Sequence, residues 1–134
     1  MIQRDYFLRI IQEFAKAIGR FIEKKQDNEK RDREMAELYR QYVGDYGTVR
    51  NLSVDDTMRY ADEQWSDDER TDRLGMLAEL LYTEASYRQE PLCTMLYDKA
   101  YRLYSYVEAH GDTFSIDRQC KIAAIRKLLD GKNT

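Results

Sequence analysis

Two pairs of acidic residues have a spacing that could bind a divalent cation. Glu34 and Glu37 are separated by two residues, as are Glu69 and Asp72. On a helix, this spacing places both carboxylates on one face, and carboxylate oxygens are ligands that Mg²⁺ accepts. The second pair also falls where a helix begins, and acidic side chains stabilise that end. The pairs therefore indicate either a magnesium site between two helices or helix capping with solvated charge.

Residues suited to nucleophilic or zinc chemistry are few. His110 is the only histidine and precedes Gly111, so we expect it to cap the end of a helix. Cys93 and Cys120 lie far apart in apolar stripes, and we expect both to be buried, inert thiols. A lone histidine with two distant cysteines does not have the spacing of a zinc site. We therefore predict no catalytic residue, no cofactor and no metal site.

One charged residue interrupts an apolar helix face. Glu84 falls among the leucines of a predicted helix, and Arg88 follows it four residues later. An ion pair within the helix is one explanation. The alternative is that Glu84 and Arg88, with a tyrosine such as Tyr101, line a groove that binds a peptide. These three residues are the candidate peptide-binding site.

Composition excludes several classes of protein. The 134 residues carry a net charge of −3, whereas binding to nucleic acid without sequence preference requires a basic surface. No apolar run reaches the length of about 18 residues that a membrane span needs. The hydrophobic content of 43% argues against disorder. We expect a single domain over residues 1–134, located in the cytoplasm, that binds neither nucleic acid nor membrane.

Apolar residues recur at intervals of three and four along almost the whole chain, which predicts an all-α protein of about six helices. The first runs from about Ile2 to Lys25, and the second follows residues 26–28 and ends at Gly44. Shorter signals predict the others. Ser53 with Asp56, and Ser66 with Glu69, have capping-box spacing for the third and fourth helices. Pro91 suits the first turn of the fifth, and a sixth covers about 115–130.

The fifth predicted helix is apolar over more than half of its circumference. One face carries Cys93, Leu96, Tyr97, Ala100, Leu103, Tyr104 and Val107. Leu92, Met95, Tyr101 and Tyr106 extend this face on either side. So wide an arc predicts contact with neighbouring helices on two sides. We interpret the tyrosines mainly as core residues whose hydroxyls reach water or a polar partner.

Cys93, Tyr97 and Ala100 have the spacing of the second-helix signature of a tetratricopeptide repeat, with cysteine in place of alanine. The opening Met-Ile-x-x-Asp-Tyr also resembles that of a family of small, uncharacterised bacterial proteins that fold as tetratricopeptide-like helical hairpins. The resemblance implies antiparallel helix pairs stacked into a short right-handed α-solenoid, with no enzymatic activity. The two carboxylate pairs separately resemble those of all-helical, magnesium-dependent nucleotide pyrophosphohydrolases.

The leading hypothesis is a non-enzymatic scaffold that binds a protein or a peptide, because stacked helical hairpins present extended binding surfaces. One alternative is a structural homodimer that buries its surplus apolar surface against a second copy. Another is the magnesium-dependent pyrophosphohydrolase, which requires Glu34, Glu37, Glu69 and Asp72 to converge. The homodimer requires a continuous exposed apolar patch.

Overall fold

The structure is a computed structural model that describes residues 2–111 and 115–132. The described chain is all-helical, as predicted. Its elements are α1 (Ile2–Glu23), α2 (Asn28–Tyr42), α3 (Tyr46–Val49), α4 (Val54–Gln64), α5 (Asp67–Ala85), α6 (Leu92–His110) and α7 (Ile116–Lys132). Six of them correspond to the predicted helices. The short α3 lies where the sequence predicted only a loop.

Helix α1 has two different apolar faces. Phe7, Phe14 and Phe21 recur at seven-residue intervals and are all buried. Phe14 packs edge-on against Tyr42 of α2 with ring centroids 5.0 Å apart, and α1 also contacts α5. A seven-residue repeat keeps side chains near one line of a helix, so the three phenylalanines attach α1 to the rest of the protein. The second face includes Ile22, which is 62% exposed.

Helix α5 is the central element. It contacts α1, α2, α4 and α6, and it buries the side chains of Leu74, Met76, Leu77, Ala78, Leu80, Leu81, Thr83, Glu84 and Ala85. A helix with neighbours on several sides needs apolar residues around most of its circumference. This position explains why its sequence pattern is less one-sided than that of α1.

Helix α6 confirms most of the predicted apolar face. Leu96, Ala100, Leu103, Tyr104 and Val107 are buried between α5 and neighbouring helices. Two positions at the margin of that face differ. Met95 is 63% exposed, whereas Lys99 is 92% buried, since only 8% of its surface is accessible. The segment before α4 covers Lys99, and hydropathy alone does not reveal this contact.

Helix ends show which local signals are reliable. Ser53 Oγ accepts a hydrogen bond from the Asp56 amide at 3.1 Å, as predicted. Ser66 stands before α5, but its side chain makes no capping bond, so that prediction is wrong in detail. Gly44 ends α2 as predicted, with φ +135°. A Cβ there would lie 2.1 Å from the Tyr60 hydroxyl, so both conformation and space require glycine.

Two further expectations are corrected. Cys93 is partly buried as its apolar stripe suggested, but Cys120 is exposed, so the prediction of a buried thiol is wrong for Cys120. The C-terminal helix also continues through Gly131 to Lys132 instead of ending at the glycine.

The sequence pattern did not reveal the short α3 because its signal is a single cap, in which the Asp45 carboxylate accepts a hydrogen bond from the Thr48 amide at 3.0 Å. No described helix is both long and apolar enough to cross a membrane.

Candidate functional site

Glu84 lies at the centre of a buried polar cluster. Its side chain has no exposed surface. Tyr46 donates to its carboxylate at 2.6 Å and Tyr39 at 3.4 Å. Arg88 Nε donates at 2.9 Å, and Arg50 Nε lies 3.6 Å away. Four groups from α2, α3, the segment after α3 and the segment after α5 therefore converge on one carboxylate. We call these five residues the Glu84 cluster.

The electrostatics of this cluster reflect burial together with charge. Burial raises the pKa of the Tyr39 hydroxyl, and the neighbouring Glu84 carboxylate raises it further. Burial and Glu84 act in the same way on the pKa of Tyr46. Burial opposes the charge on Arg88, but its hydrogen bond to Glu84 holds the pKa of Arg88 above its ordinary value. The tyrosines are therefore neutral donors, and the cluster contains one anion between two cations.

Two of the three predicted peptide-binding residues belong to this cluster, and the third lies elsewhere. The predicted pair between Glu84 and Arg88 is present, and Arg88 also contacts Asp32 of α2 at 3.0 Å. Tyr101 of α6 instead accepts a hydrogen bond from Arg126 Nη2 of α7 at 2.9 Å. The Glu84 carboxylate faces protein groups and has no exposed surface. Peptide binding by Glu84, Arg88 and Tyr101 stays a prediction.

An open cleft lies between α1 and α7, with α5 as its floor. Its volume is about 470 Å³. The α1 wall consists of Ile11, Phe14, Ala15, Ile18, Gly19 and Ile22. Asp72, Gly75, Met76 and Glu79 of α5 form the floor together with Tyr104 and Val107 of α6. Ser115, Asp117, Arg118 and Lys121 complete the opposite side. The cleft therefore has one apolar wall and one charged wall.

A second carboxylate-centred group stands on the floor of this cleft. Glu79 accepts hydrogen bonds from Tyr104 and Lys121, and Asp117 lies 3.3 Å from Lys121 Nζ. Burial raises the pKa of Tyr104, and Glu79 adds to the rise. Burial opposes the charge on Lys121, but its bonds to Glu79 keep the pKa of Lys121 above its usual value. This group holds α7 against α5 and α6.

Lys99 marks a smaller cavity on another side of the molecule. Its Nζ donates to the carbonyl oxygens of Val49 at 3.3 Å and Arg50 at 2.9 Å. The cavity beside it has a volume of about 360 Å³. Sequence reasoning missed this residue, although Leu103 and Leu92 stand one and two turns away on the same side of α6. A lysine among leucines on one helix face is the signal that could have revealed it.

The four carboxylates considered for magnesium have other partners or surroundings. Glu34 accepts from Gln26 at 2.9 Å, Glu37 pairs with Arg40 and Glu69 with Arg73, and Asp72 lines the cleft. In the part of the chain that the structure describes, no group of three or more histidine, cysteine or acidic side chains could hold a metal ion.

His110 is placed as predicted, at the end of α6. Its Nδ1 lies 2.9 Å from the Tyr106 carbonyl oxygen, and its ring stacks on the Tyr106 ring with centroids 4.0 Å apart. Among the described residues, it belongs to no candidate metal group. The position is that of a side chain bonding one of the last carbonyls of a helix.

Comparisons of the chain with protein-family models, with curated proteins and with solved structures give no match.

Proposed function

We propose that this chain is a non-enzymatic interaction scaffold of stacked, tetratricopeptide-like helical hairpins, which binds an amphipathic helix of a partner protein in the cleft between α1 and α7. The arrangement of helices around the cleft supports the proposal. In this proposal α1 and α2 are one hairpin, α5 and α6 are the next, and α7 begins a third; α1 contacts α2, and α6 contacts both α5 and α7. Residues of α1, α5 and α7 line the cleft together with Tyr104 and Val107 of α6, and first helices form the inner surface of helical-hairpin stacks. Helices α3 and α4 are then an insertion between the pairs.

The observation that carries this proposal is the second apolar face of α1. Leu8, Ile11, Ala15, Ile18 and Ile22 follow one another at intervals of three and four. We call this line the α1 seam. Ile22 is 62% exposed and Leu8 42% exposed, although the three phenylalanines already attach α1 to the protein. Alternating intervals of three and four are typical of a seam that packs against another helix.

The wall also provides room for a helix backbone. Ala15 and Gly19 are one turn apart on the cleft side of α1. A Cβ placed on Gly19 would have no heavy atom within 4 Å, so the internal packing of the protein does not require glycine there. Small residues allow two backbones to approach closely. We therefore propose that the partner helix passes across Ala15 and Gly19.

Charge indicates the polar flank of that helix. The cleft contains three carboxylates, Asp72, Glu79 and Asp117, and two cations, Arg118 and Lys121. Both cations already have acidic neighbours, because Lys121 pairs with Glu79 and Arg118 with Glu108. The three carboxylates and two cations that line the cleft give it a formal charge of −1, which favours a partner with lysine or arginine beside its apolar stripe.

The test is a selection of helical peptides from a displayed library, followed by measurement of binding to two matched variants. Gly19→Met fills the cleft, whereas Gly131→Met makes the same change on α7 at a position that also has open space. Both remove a helical glycine and should leave the fold intact. We expect selected peptides with apolar residues at intervals of three and four and a basic flank. Gly19→Met should weaken their binding by at least about tenfold, or ~1.4 kcal/mol.

Equal binding to the wild type and to both variants would contradict the cleft as the binding site. Selected peptides without helical periodicity would contradict the class of partner. A peptide that loses affinity for Gly131→Met alone would place the binding surface at the end of α7. Circular dichroism of each variant checks that the fold is retained.

A second copy of this chain is the other candidate occupant, because the exposed Ile22 and Leu8 could pair with the same seam on a twin. Sedimentation equilibrium distinguishes this alternative. A dimer that Gly19→Met dissociates would support a structural homodimer, with the second copy in place of the partner helix.

A cytoplasmic location is part of the proposal, since the two cysteines are free thiols and disulfides are rare in that compartment.

A further inference from the structure

Lys99 is a buried amine with an unusual set of neighbours. Its two hydrogen bonds go to the carbonyl oxygens of Val49 and Arg50, in and directly after α3. Among the described residues, no carboxylate lies within 4.0 Å of its Nζ, and its surroundings include the guanidinium of Arg50. Asp98 is on the same cavity wall but pairs with Arg102 at 3.1 Å. Lys99 therefore lacks the counter-ion that a buried cation normally has.

The hydrogen-bond acceptors around Lys99 Nζ match those that a neutral amine needs. An uncharged lysine has two N–H bonds and one lone pair, and the two carbonyls accept from both N–H bonds. The ammonium form has a third N–H for which the described residues supply no acceptor. Burial, and secondarily the charge of Arg50, lower the pKa of Lys99 to about 8. At neutral pH roughly a tenth of Lys99 would be neutral, against about one part in 2,500 for an ordinary lysine.

We propose that Lys99 is a covalent binding site for a small aldehyde or ketone, which enters the adjacent cavity and forms an imine with its Nζ. The cavity of about 360 Å³ lies between α6 and the segment that leads into α4. That volume is within the usual range for small-molecule sites. Met95, 63% exposed, lies at its edge. The site is independent of the cleft between α1 and α7.

The reaction balances without a further reactant. The Nζ lone pair attacks the carbonyl carbon, the carbon–oxygen π pair moves to oxygen, and a proton passes from nitrogen to that oxygen. The resulting carbinolamine loses its hydroxyl group and the second N–H proton as water, which leaves a carbon–nitrogen double bond. Desolvation of a lysine is a recognised way to prepare it for this reaction.

Reductive trapping tests the proposal. The folded protein is treated briefly with acetaldehyde and cyanoborohydride between about pH 6.5 and pH 10, and modification of each lysine is measured by peptide mass spectrometry. Because nucleophilicity falls as the pKa falls, the expected advantage is smaller than the difference in neutral fraction. We expect Lys99 to react about tenfold faster than exposed Lys127 near pH 7. Its rate should level off above about pH 8, whereas the rate of a lysine that titrates near 10.4 continues to rise up to pH 10.

A variant checks that the cavity sets this reactivity. Asn51 lines the same cavity, and Asn51→Asp adds a carboxylate with almost no change of shape. The added charge should favour the ammonium form of Lys99 and lower its rate near pH 7 several-fold. Slower modification of Lys99 than of Lys127 at every pH would overturn the proposal. An unchanged profile in Asn51→Asp would equally overturn the assignment to this cavity. Circular dichroism before and after trapping confirms that the folded protein was modified.

Discussion

Glu79 and Glu84 stand on the same central helix, and each accepts hydrogen bonds from a tyrosine hydroxyl and a basic side chain. Glu84 has no exposed surface and lies among two tyrosines, from α2 and α3, and two arginines, from the segments after α3 and α5. Glu79 is partly exposed on the floor of the cleft, and its cation, Lys121, also has Asp117 as a neighbour. The same chemistry therefore occurs in a closed setting and in an open one.

This contrast separates the charges that stabilise the fold from those that another molecule can contact. A buried carboxylate must have all of its partners within the protein, because no water replaces one that is lost. In an open cleft, water and a second acidic side chain can replace a partner that is lost. We infer that the Glu84 cluster joins α2, α3 and α5, whereas the Glu79 group also forms part of a surface that another molecule can contact.

Glu84→Ala is expected to have the largest effect. It leaves two arginines and two tyrosine hydroxyls without their shared acceptor inside the protein. Removing one side of a buried ion pair typically costs about 3–5 kcal/mol, and we expect a loss of this size in the free energy of unfolding. Urea denaturation followed by circular dichroism measures it. A loss below about 1 kcal/mol would show that water reaches the cluster.

Glu79→Ala is the matched change in the open setting. Lys121 keeps Asp117 and gains water, although Tyr104 loses its acceptor. We therefore expect a smaller loss of stability, roughly 2 kcal/mol, of which the ion-pair part is screened by salt. Denaturation at low and high salt concentration measures both effects. If Glu79→Ala cost as much as Glu84→Ala, the distinction between a closed and an open cluster would be wrong.

The sequence predicted the two clusters unequally, for a physical reason. Helical periodicity identified six helices, and the interval of four residues identified the pair of Glu84 and Arg88. Tyr39, Tyr46 and Arg50 lie 34 to 45 positions before Glu84 and join it only through the packing of α2 and the missed α3 on α5. Local patterns report neighbours one turn away, but they carry no information on contacts that folding creates between distant segments.

The cleft shows the same limit. The sequence predicted a long first helix but did not show which of its apolar residues stay exposed beside the cleft, as Ile22 does, and which are buried in the core, as Phe7 and Phe21 are. That separation depends on where α5 and α7 lie. Tyr101 was predicted to stand beside Glu84, yet α6 directs it towards Arg126 of α7. Helix type was therefore predictable, whereas the identity of the open face was not.

Lys99 extends the comparison to a buried basic group with no carboxylate within 4.0 Å among the residues that the structure describes, and its effect on stability should be the smallest of the three. Its pKa in the folded protein is lowered to about 8, whereas an unfolded lysine titrates near 10.4. Between these values the unfolded chain binds more protons, so stability rises with pH. From about pH 7.5 to about pH 9 we expect a gain of about 1 kcal/mol relative to Lys99→Met. Tyrosines with raised pKa values reverse the trend only above about pH 10. Urea denaturation of both proteins across this range measures the difference in their free energies of unfolding. Parallel pH profiles would show that Lys99 keeps its proton, and the contrast with the two carboxylate clusters would then be wrong.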